Sequence, residues 1–310
     1  MPKKIIFMGT PTFAVPILKS LYQNGFPISV VYTQPPQKSH RGMNVNKSPI
    51  QNIAETLNLE IRTPNKIKDN KNEFEFLKSL DADVAVVVAY GKIIPKEFLG
   101  LTKKGFINVH ASLLPSWRGP APIQRSLMNL DEETGISIMK IAEQLDTGPV
   151  CNKYRLKINK SDNAQDISDK LSYLASEKIL DDLEMIINGE AKFVEQNHFK
   201  ATHAQKIQKS EGLINWSESA DKILGKINGL FPVPGAFFLF KGERYKILKA
   251  KIAGGTGQIG EVNSDQLEII CGNNQSIKIL EIQREGKKPQ KIGEFILGSL
   301  IKKGSIINNV

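Results

Sequence analysis

Cysteine is scarce in this chain, and its two occurrences stand alone. Cys151 and Cys271 lie far apart, without a CxxC motif and without neighbouring histidines. A disulfide framework or a zinc site needs clustered sulfur or imidazole ligands, so this pattern favours neither. We predict two free thiols in a reducing compartment, the cytoplasm, and no metal.

Long apolar runs are also missing. The longest candidate, 84–89, has the length of a strand, whereas a membrane span needs about 20 apolar residues. The strand pattern begins at Ile5, which leaves no space for the apolar stretch of a signal peptide. Neither GxGxxG nor GxxxxGK[ST] occurs, so the common dinucleotide and nucleoside triphosphate fingerprints are absent as well. The sequence therefore predicts a protein that does not bind a membrane.

The composition is that of an ordinary globular protein, but its charge is uneven. With 310 residues the chain is long for one core and suits two domains. From Gln205 onwards there are 16 Lys and Arg against 10 Asp and Glu, whereas the preceding two thirds have 26 against 22. A polyanionic partner such as a nucleic acid explains a basic C-terminal third, but on charge alone a lysine-rich coding bias that keeps surfaces solvated is the stronger explanation.

Strand and helix patterns alternate through the first half of the chain. This βαβ rhythm predicts an α/β fold with a Rossmann-like, mostly parallel sheet, in which ligands bind at the carboxyl ends of the strands. Two further strands and a long amphipathic helix follow it. The predicted strands are 5–8, 29–33, 84–89, 106–109, 134–141 and 150–158, and the predicted helices are 13–24, 50–57, 73–80, 122–128 and 166–188.

The C-terminal third changes to short strands after one helix. That helix is predicted over 219–229, with Ser217 as its N-cap. About five antiparallel strands in so short a stretch suit a small β-barrel of the oligonucleotide-binding (OB-like) type. We predict an N-terminal catalytic domain at 1–189, a linker at 190–207 and a C-terminal OB-like domain at 208–310. The predicted strands of that domain are 236–240, 245–253, 257–262, 267–271 and 277–283.

The most informative stretch reads INVHASLLPSWRGPAP and is followed by LDTG at 145–148. Asn108 and His110 are two residues apart near a strand end, so their side chains point to the same face. Asp146, in a later loop, supplies a carboxylate. An amide donor, a titratable ring and a carboxylate suit acyl transfer through a tetrahedral intermediate. On spacing alone, an Asn-x-His pair that only satisfies backbone groups is an equal alternative.

Taken together, these strings resemble the folate-dependent formyltransferase family. The resemblance runs from GTPTFA through VVVAYGKIIP to LDTGPV and NWSESA, and so covers nearly the whole chain. It implies 10-formyltetrahydrofolate as the formyl donor, a primary amine as the acceptor and no metal. It also implies that Asn108 binds the developing oxyanion and that His110 moves a proton or stabilises the oxyanion. Asp146 would orient the histidine or a proton-relaying water.

The resemblance also assigns a folate site with two walls. One wall is a stretch of backbone, and the other follows the strand at 84–89. Without the resemblance, that second stretch is an ordinary boundary between a strand and a turn. Arg118 keeps two open roles, contact with substrate or pairing with an internal carboxylate. The residues of the first wall are Ser112, Leu113, Leu114 and Pro115, and those of the second are Val88, Ala89, Tyr90, Gly91 and Ile94.

The acceptor has to be inferred from outside the catalytic motif, because sugar-amine formyltransferases share that motif. The basic barrel and the segment 34–48, which is long for a loop, favour a charged initiator Met-tRNA and hence a role in translation initiation. The segment matches in position the family's tRNA-contacting loop, although 37–40 lack the usual glycines and arginines; a solvated loop without a ligand is its alternative. The predicted tRNA-binding residues are Lys38, Arg41, Gly42, Lys47, Lys246, Lys249 and Lys287.

Three alternatives stay open. A sugar-amine formyltransferase would not need a basic barrel, and a formyl-folate hydrolase typically carries an N-terminal regulatory domain. A catalytically inactive RNA-binding protein would not need Asn108, His110 and Asp146 together. Two departures weaken the match at the domain junction, since Gln205 replaces the family's usual proline and Asn215 its usual aspartate. We expect a monomer.

Overall fold

The computed structural model describes residues 3–39 and 44–308 of the chain, which divides into two compact units. Unit 1 comprises Met1–Gly119, Thr134–Leu156 and Ser168–His203. Unit 2 comprises Pro120–Glu133, Lys157–Ile167 and Ala204–Val310. The boundaries predicted from the sequence, at 189 and 208, stay a prediction.

Unit 1 is built on a seven-stranded sheet with the order β5-β2-β1-β6-β7-β8-β9. The strands from β5 to β7 are parallel to one another, and β8 runs antiparallel to β7. The Rossmann-like, mostly parallel sheet predicted from the sequence is confirmed. Its strands are β1 (Ile5–Gly9), β2 (Ile28–Tyr32), β5 (Ile61–Arg62), β6 (Val84–Val88), β7 (Phe106–His110), β8 (Glu133–Lys140) and β9 (Val150–Lys157); β3 (Gln37–Ser39) and β4 (Asn44–Asn46) form a separate hairpin.

Helices connect these strands, and short polar side chains begin two of them. The Ser48 hydroxyl accepts a hydrogen bond from the Gln51 amide at the start of α2, and Asn70 does the same for Glu73 at the start of α3. The central strands β1 and β6 are apolar and fully buried, as expected for strands covered on both faces. The helices in this part of the chain are α1 (Val15–Gln23), α2 (Pro49–Thr56), α3 (Lys71–Ser79), α4 (Pro122–Met128) and α5 (Ala164–Asn188).

Hydrogen bonds tie the loops together at the carboxyl ends of β1, β2 and β6. The Tyr90 carbonyl accepts a hydrogen bond of 2.8 Å from the Thr10 hydroxyl and one of 3.1 Å from the side-chain amide of Gln34. The three loops therefore form one connected edge, which is where a parallel sheet of this kind binds ligands.

A buried ion pair fastens the outer strands of this sheet to α3. The Arg62 guanidinium donates two hydrogen bonds of 2.8 Å to the Glu73 carboxylate, and the Tyr32 hydroxyl donates a third of 2.6 Å. Arg62 also lies over the Phe76 ring, 3.9 Å from its centroid. Burial raises the pKa of Glu73, but the bonds from Arg62 and Tyr32 and the positive charge of Arg62 outweigh it, so the pKa is lowered.

Unit 2 holds a five-stranded antiparallel sheet with the order β10-β11-β13-β12, in which β14 also pairs with β13. Its core includes Trp216, Phe238, Tyr245 and Phe295, whose rings contact one another in sequence. The sheet is consistent with the barrel-like domain that was predicted. The elements are α6 (Ala220–Leu230), β10 (Ala236–Phe240), β11 (Glu243–Gly254), β12 (Glu268–Ile270), β13 (Gln275–Arg284), β14 (Gln290–Lys291) and α7 (Ile292–Gly298).

Three local predictions were wrong or incomplete. The strand predicted at 257–262 is an irregular segment with two single bridges, because left-handed Gly260 sits so close to the Ile307 carbonyl that no side chain would fit. The N-cap of α6 is Ser219 rather than Ser217, and its hydroxyl accepts a hydrogen bond from Lys222. Helix α7 and the hairpin of β3 and β4 were not predicted.

Two classes of feature are absent from the described part of the chain. No helix in it combines the length and the apolar character that crossing a membrane requires. Nor does it bring three or more His, Cys, Asp or Glu side chains together in a group that could hold a metal ion.

Replacing Glu73 by glutamine should lower the free energy of unfolding by about 2–3 kcal/mol at pH 7, because one partner of a buried ion pair is removed. The lowered pKa makes this contribution present above the ordinary value of 4.5 and lost as the pH falls through the folded-state pKa. Urea titrations of both proteins at neutral and at acidic pH measure the difference. The exposed Glu75→Gln variant should stay within about 0.5 kcal/mol of wild type. A difference for Glu73→Gln that persists at acidic pH would contradict this account.

Candidate active site

The ends of β6 and β7 place the predicted catalytic pair at the ligand-binding edge of the sheet. Asn108 lies opposite Val87 of β6, and His110 is the last residue of β7. Asn108 is half-buried, and its side chain forms no hydrogen bond with any residue of 3–39 or 44–308. The amide is therefore free to donate a hydrogen bond to a bound molecule.

His110 is buried and held between two partners. Its Nε2 lies 3.1 Å from the Trp117 carbonyl oxygen. Because a carbonyl only accepts, Nε2 is the donor in this contact. Its Nδ1 faces the Asp146 carboxylate, with 3.7 Å between Nδ1 and Oδ2. The ring is thus oriented by a carbonyl on one side and a carboxylate on the other.

Asp146 is fixed by its own contacts rather than by the histidine. Its Oδ2 accepts a hydrogen bond of 2.8 Å from the Gly119 amide, and its backbone is left-handed, with φ of 53°. Two residues on, Gly148 approaches the Lys140 carbonyl so closely that an added Cβ would lie 2.0 Å from that oxygen. Glycine is thus required at the end of the LDTG motif for the loop to take this path.

The segment after His110 folds back as a wall, as the sequence predicts. The Ser137 hydroxyl of β8 holds this segment in place. It donates a hydrogen bond of 2.7 Å to the Ser112 carbonyl and accepts one of 3.0 Å from the backbone amide of Leu114. The Ser112 hydroxyl donates to the Ser116 carbonyl at 2.6 Å. Ser112 and Leu114 are buried, whereas Leu113 and Pro115 are partly exposed. The wall is therefore a fixed backbone surface.

The other predicted folate-binding stretch splits into an inner and an outer set. Val88, Tyr90 and Ile94 are buried within unit 1. Ala89 and Gly91 are exposed in left-handed backbone conformations, with φ of 46° and 79°. Of the five predicted residues, these two are the exposed ones, so contact between this set and a ligand would use mainly their backbone.

The predicted tRNA-binding residues fall into three groups. Arg41 and Gly42 lie outside the described residues, and of Lys38 only the backbone is described, as part of β3. The Lys47 ammonium bonds both Glu55 carboxylate oxygens at 2.8 Å.

Two of the three lysines of unit 2 lie on its sheet, and the third lies in a turn beside it. Lys246 and Lys249 lie on β11, and Lys287 follows β13. Lys246 lies opposite Gln283 of β13, and the side-chain amide of Gln283 donates a hydrogen bond to the Lys287 carbonyl. Lys246 and Lys287 are therefore at the same end of that sheet.

Arg118 and Gln196 form a buried polar pair that the sequence did not predict. Arg118 donates to Gln196 Oε1 from Nε at 3.1 Å and from Nη2 at 2.7 Å, and Nη2 also lies 3.1 Å from His198 Nδ1. Its protein partners are thus an amide and an imidazole, rather than the internal carboxylate considered above. Gln196 was missed because it falls in the predicted linker, and a lone glutamine carries no motif.

Neither cysteine is suited to act as a nucleophile. Both are free, as predicted. Burial, with a smaller effect of Asp182, raises the pKa of Cys151 to about 11, and burial raises the pKa of Cys271 to about 11. Both thiols are therefore protonated near neutral pH.

At this edge of the sheet lie an amide without a hydrogen-bond partner among the described residues, an imidazole and a fixed carboxylate, a set of groups that suits acyl transfer. Two family models match the chain: formyl transferase over residues 3–183, and the formyl transferase C-terminal domain over residues 206–300. A methionyl-tRNA formyltransferase of Pelagibacter ubique is 65% identical over all 310 residues, with both chains fully covered. One of Rhizobium rhizogenes is 41% identical and covers 99% of this chain and 98% of its own. The chain therefore belongs to the formyl transferase family and, within it, to the methionyl-tRNA formyltransferases.

Solved structures with the same fold include enzymes that act on sugars. An N-formyltransferase from Helicobacter canadensis, in complex with folinic acid and dTDP-3-aminofucose, has a TM-score of 0.69 at 19% identity, over 92% of this chain and all of its own. A sugar 3N-formyl transferase, in the presence of dTDP and 5-N-formyl-THF, has a TM-score of 0.67 at 19% identity, over 93% of this chain and all of its own. At this identity the likeness establishes the fold.

Replacing Gly148 by alanine should displace the Asp146 loop, because the new Cβ and the Lys140 carbonyl cannot occupy the observed positions. We expect the free energy of unfolding to fall by about 1–3 kcal/mol. Hydrogen exchange at the Gly119 amide, which donates to Asp146, should become faster. Gly100→Ala serves as the control, since an added Cβ there meets nothing within 4 Å. Wild-type exchange at Gly119 in the Gly148→Ala variant would show that the loop does not depend on this glycine.

Proposed function

We propose that this chain transfers the formyl group of 10-formyltetrahydrofolate to the amino group of methionyl-initiator tRNA, in the cytoplasm and as a monomer. The observation that carries the proposal is the 65% identity, over the whole of both chains, with a protein named methionyl-tRNA formyltransferase. The arrangement of Asn108, His110 and Asp146 at the edge of the sheet supports it.

The residues at this edge fit a folate co-substrate. The donor supplies an activated formyl group. The left-handed backbone at Ala89 and Gly91 and the fixed wall at 112–115 border the strand that carries the unpaired Asn108 amide. The residues that would hold the donor are Val88, Ala89, Tyr90, Gly91, Ile94, Ser112, Leu113, Leu114 and Pro115.

Asn108 is assigned to the oxygen of the formyl group. Negative charge develops on that oxygen when an amine attacks the carbonyl carbon. A side-chain amide already held on a strand stabilises this charge without rearranging, and loss of one such donor costs about 10²–10³ in rate.

His110 and Asp146 are assigned to the proton. The attacking amine must lose a proton, and the nitrogen that leaves the formyl carbon must gain one. His110 takes up a proton at Nδ1, facing Asp146, while Nε2 keeps its bond to the Trp117 carbonyl. The carboxylate stabilises the charged ring and keeps its orientation, as expected for a general acid–base catalyst.

Single-turnover formyl transfer to charged initiator tRNA, beside deacylated tRNA and an amino sugar, tests the function. Transfer to the charged tRNA alone is the expected result; transfer to the sugar alone would refute the proposed acceptor. His110→Ala should lower the rate by about 10²–10⁴, with tRNA binding within about twofold of wild type. Circular dichroism and a urea titration would confirm that this variant is folded. Near-normal turnover would remove the histidine from the mechanism.

Lys38, Arg41, Gly42 and Lys47 of the 34–48 segment, together with Lys246, Lys249 and Lys287, are assigned to tRNA. Exposed lysines that contact phosphate contribute affinity that falls with salt. The lysines of the 34–48 segment are far in sequence from the three lysines of the C-terminal domain. If both groups contact tRNA, two separate parts of the chain take part in binding it.

Replacing Lys246, Lys249 and Lys287 together by glutamine should raise the KM for charged tRNA and leave kcat within about twofold. The slope of log affinity against log salt should become shallower by about one for each phosphate that is no longer neutralised. The triple change Lys19, Lys71 and Lys78 to glutamine removes the same charge from exposed positions of unit 1 and should leave both quantities unchanged. Equal effects of the two triple variants would mean that net charge, and not a specific contact, is responsible.

A further inference from the structure

The Gln196 side chain forms every hydrogen bond that an amide can form, two with the Asp146 loop and two with Arg118. Its Nε2 donates to the Asp146 carbonyl at 2.9 Å and to the Gly148 carbonyl at 2.7 Å. Its Oε1 accepts the two bonds from Arg118. An amide offers two N–H groups and two lone pairs, so all are satisfied. Gln196 is 7% exposed, and a buried amide without these partners would be costly.

Arg118 determines which way this amide points. A guanidinium only donates, so the amide oxygen must face Arg118 and the NH₂ group must face the Asp146 loop. Arg118 stands between Trp117, whose carbonyl accepts from His110, and Gly119, whose amide donates to Asp146. Gln196 therefore links the loop that carries the carboxylate with the segment that holds the histidine.

The rest of the 194–203 segment borders the same two loops. Val194 forms two backbone hydrogen bonds of 2.9 Å with Val150, just after the Asp146 loop. Near the other end of the segment, the Thr202 hydroxyl accepts from the Trp117 amide at 2.9 Å, and its carbonyl accepts from the Arg118 amide at 2.9 Å. The stretch predicted as part of a linker thus contributes directly to the surroundings of the site.

Two residues at this junction have left-handed backbone conformations that non-glycine residues adopt rarely. Trp117 has φ of 62° and Asp146 has φ of 53°. Such conformations persist where surrounding bonds fix them. At Asp146, the backbone amide of Gly119 donates to the side chain, and the side-chain amide of Gln196 donates to the carbonyl.

We propose that Gln196 is a positioning residue for the reaction: it holds Asp146 in register with His110 by fixing the backbone of the loop at Asp146 and at Gly148. The inference rests on the proposed function, because it assigns Gln196 a part in that formyl transfer. Without the amide, the Asp146 and Gly148 carbonyls lose their donor and the carboxylate can move away from the ring. A misplacement of about 1 Å costs up to about 10² in rate.

Three variants at two positions separate positioning from general stability. Gln196→Met keeps the side-chain length and removes all four bonds. Gln196→Glu keeps an acceptor for Arg118 but cannot donate to the two carbonyls. Both should lower kcat by about 10–10², with KM for folate and tRNA within about twofold. Asn197→Ala, at the adjacent exposed position, removes only a local bond to the Phe199 amide and should retain wild-type kcat.

A double-mutant cycle tests whether Gln196 acts through Asp146. In an Asp146→Ala background, Gln196→Met should lower kcat by less than about threefold further, because the group that it positions is gone. If the two effects multiply, or if Gln196→Glu retains wild-type kcat in the native background, the inference is wrong. A merely structural role would give multiplied effects.

Hydrogen exchange at the Gly119 amide separates this inference from the proposed function. The exchange should be faster in Gln196→Met and Gln196→Glu than in wild type and Asn197→Ala, whichever acceptor the enzyme uses. If the wild-type protein fails to formylate charged tRNA but the four proteins show this exchange pattern, the proposed acceptor is refuted. The positioning of Asp146 by Gln196 is then still supported. Unchanged exchange at Gly119 would overturn the inference even if transfer to tRNA is fast.

Discussion

One carboxylate joins two parts of unit 1 that are distant in the sequence. Asp146 accepts the Gly119 amide with the same oxygen that faces His110. The side chain is only 10% exposed, and a buried carboxylate without hydrogen bonds would be strongly unfavourable. The wall after β7 and the loop after β8 therefore stabilise each other at this point. The proposed site depends on this contact, because it fixes the carboxylate that faces His110.

The parallel sheet explains why these groups meet at an edge. Strands β6 and β7 lie side by side in parallel, so the residues following them emerge together. The Asn108 amide is held by the strand and needs no partner of its own, whereas His110 is held at Nε2 by a carbonyl beyond the strand end. The proposed donor and the proposed proton carrier are thus held by the fold itself, which is the condition under which electrostatic stabilisation is most effective.

Side-chain pattern was sufficient to predict most of the fold and to propose a catalytic set, and prediction failed where backbone geometry decides. Gly260 interrupts a regular strand because it lies against a distant backbone carbonyl, which no local pattern reports. The residue types and the spacing of Asn108, His110 and Asp146 suit acyl transfer, so the sequence alone was enough to propose them as a set. Gln196 does not, because its importance lies in four bonds to backbone and guanidinium groups that exist only in the folded chain.

The groups proposed for catalysis contain little that could distinguish one amine from another. In the proposed reaction they act on the formyl group and on a proton, and these are the same whichever amine attacks. Solved relatives at 19% identity share the fold, and by their names act on sugars, while the 65% identical relative is named for methionyl-tRNA. Recognition of the acceptor must therefore be encoded outside Asn108, His110 and Asp146. The basic excess after Gln205 supports the proposal that the C-terminal third contributes to binding a polyanionic acceptor, because positive charge attracts phosphate wherever the reaction itself takes place.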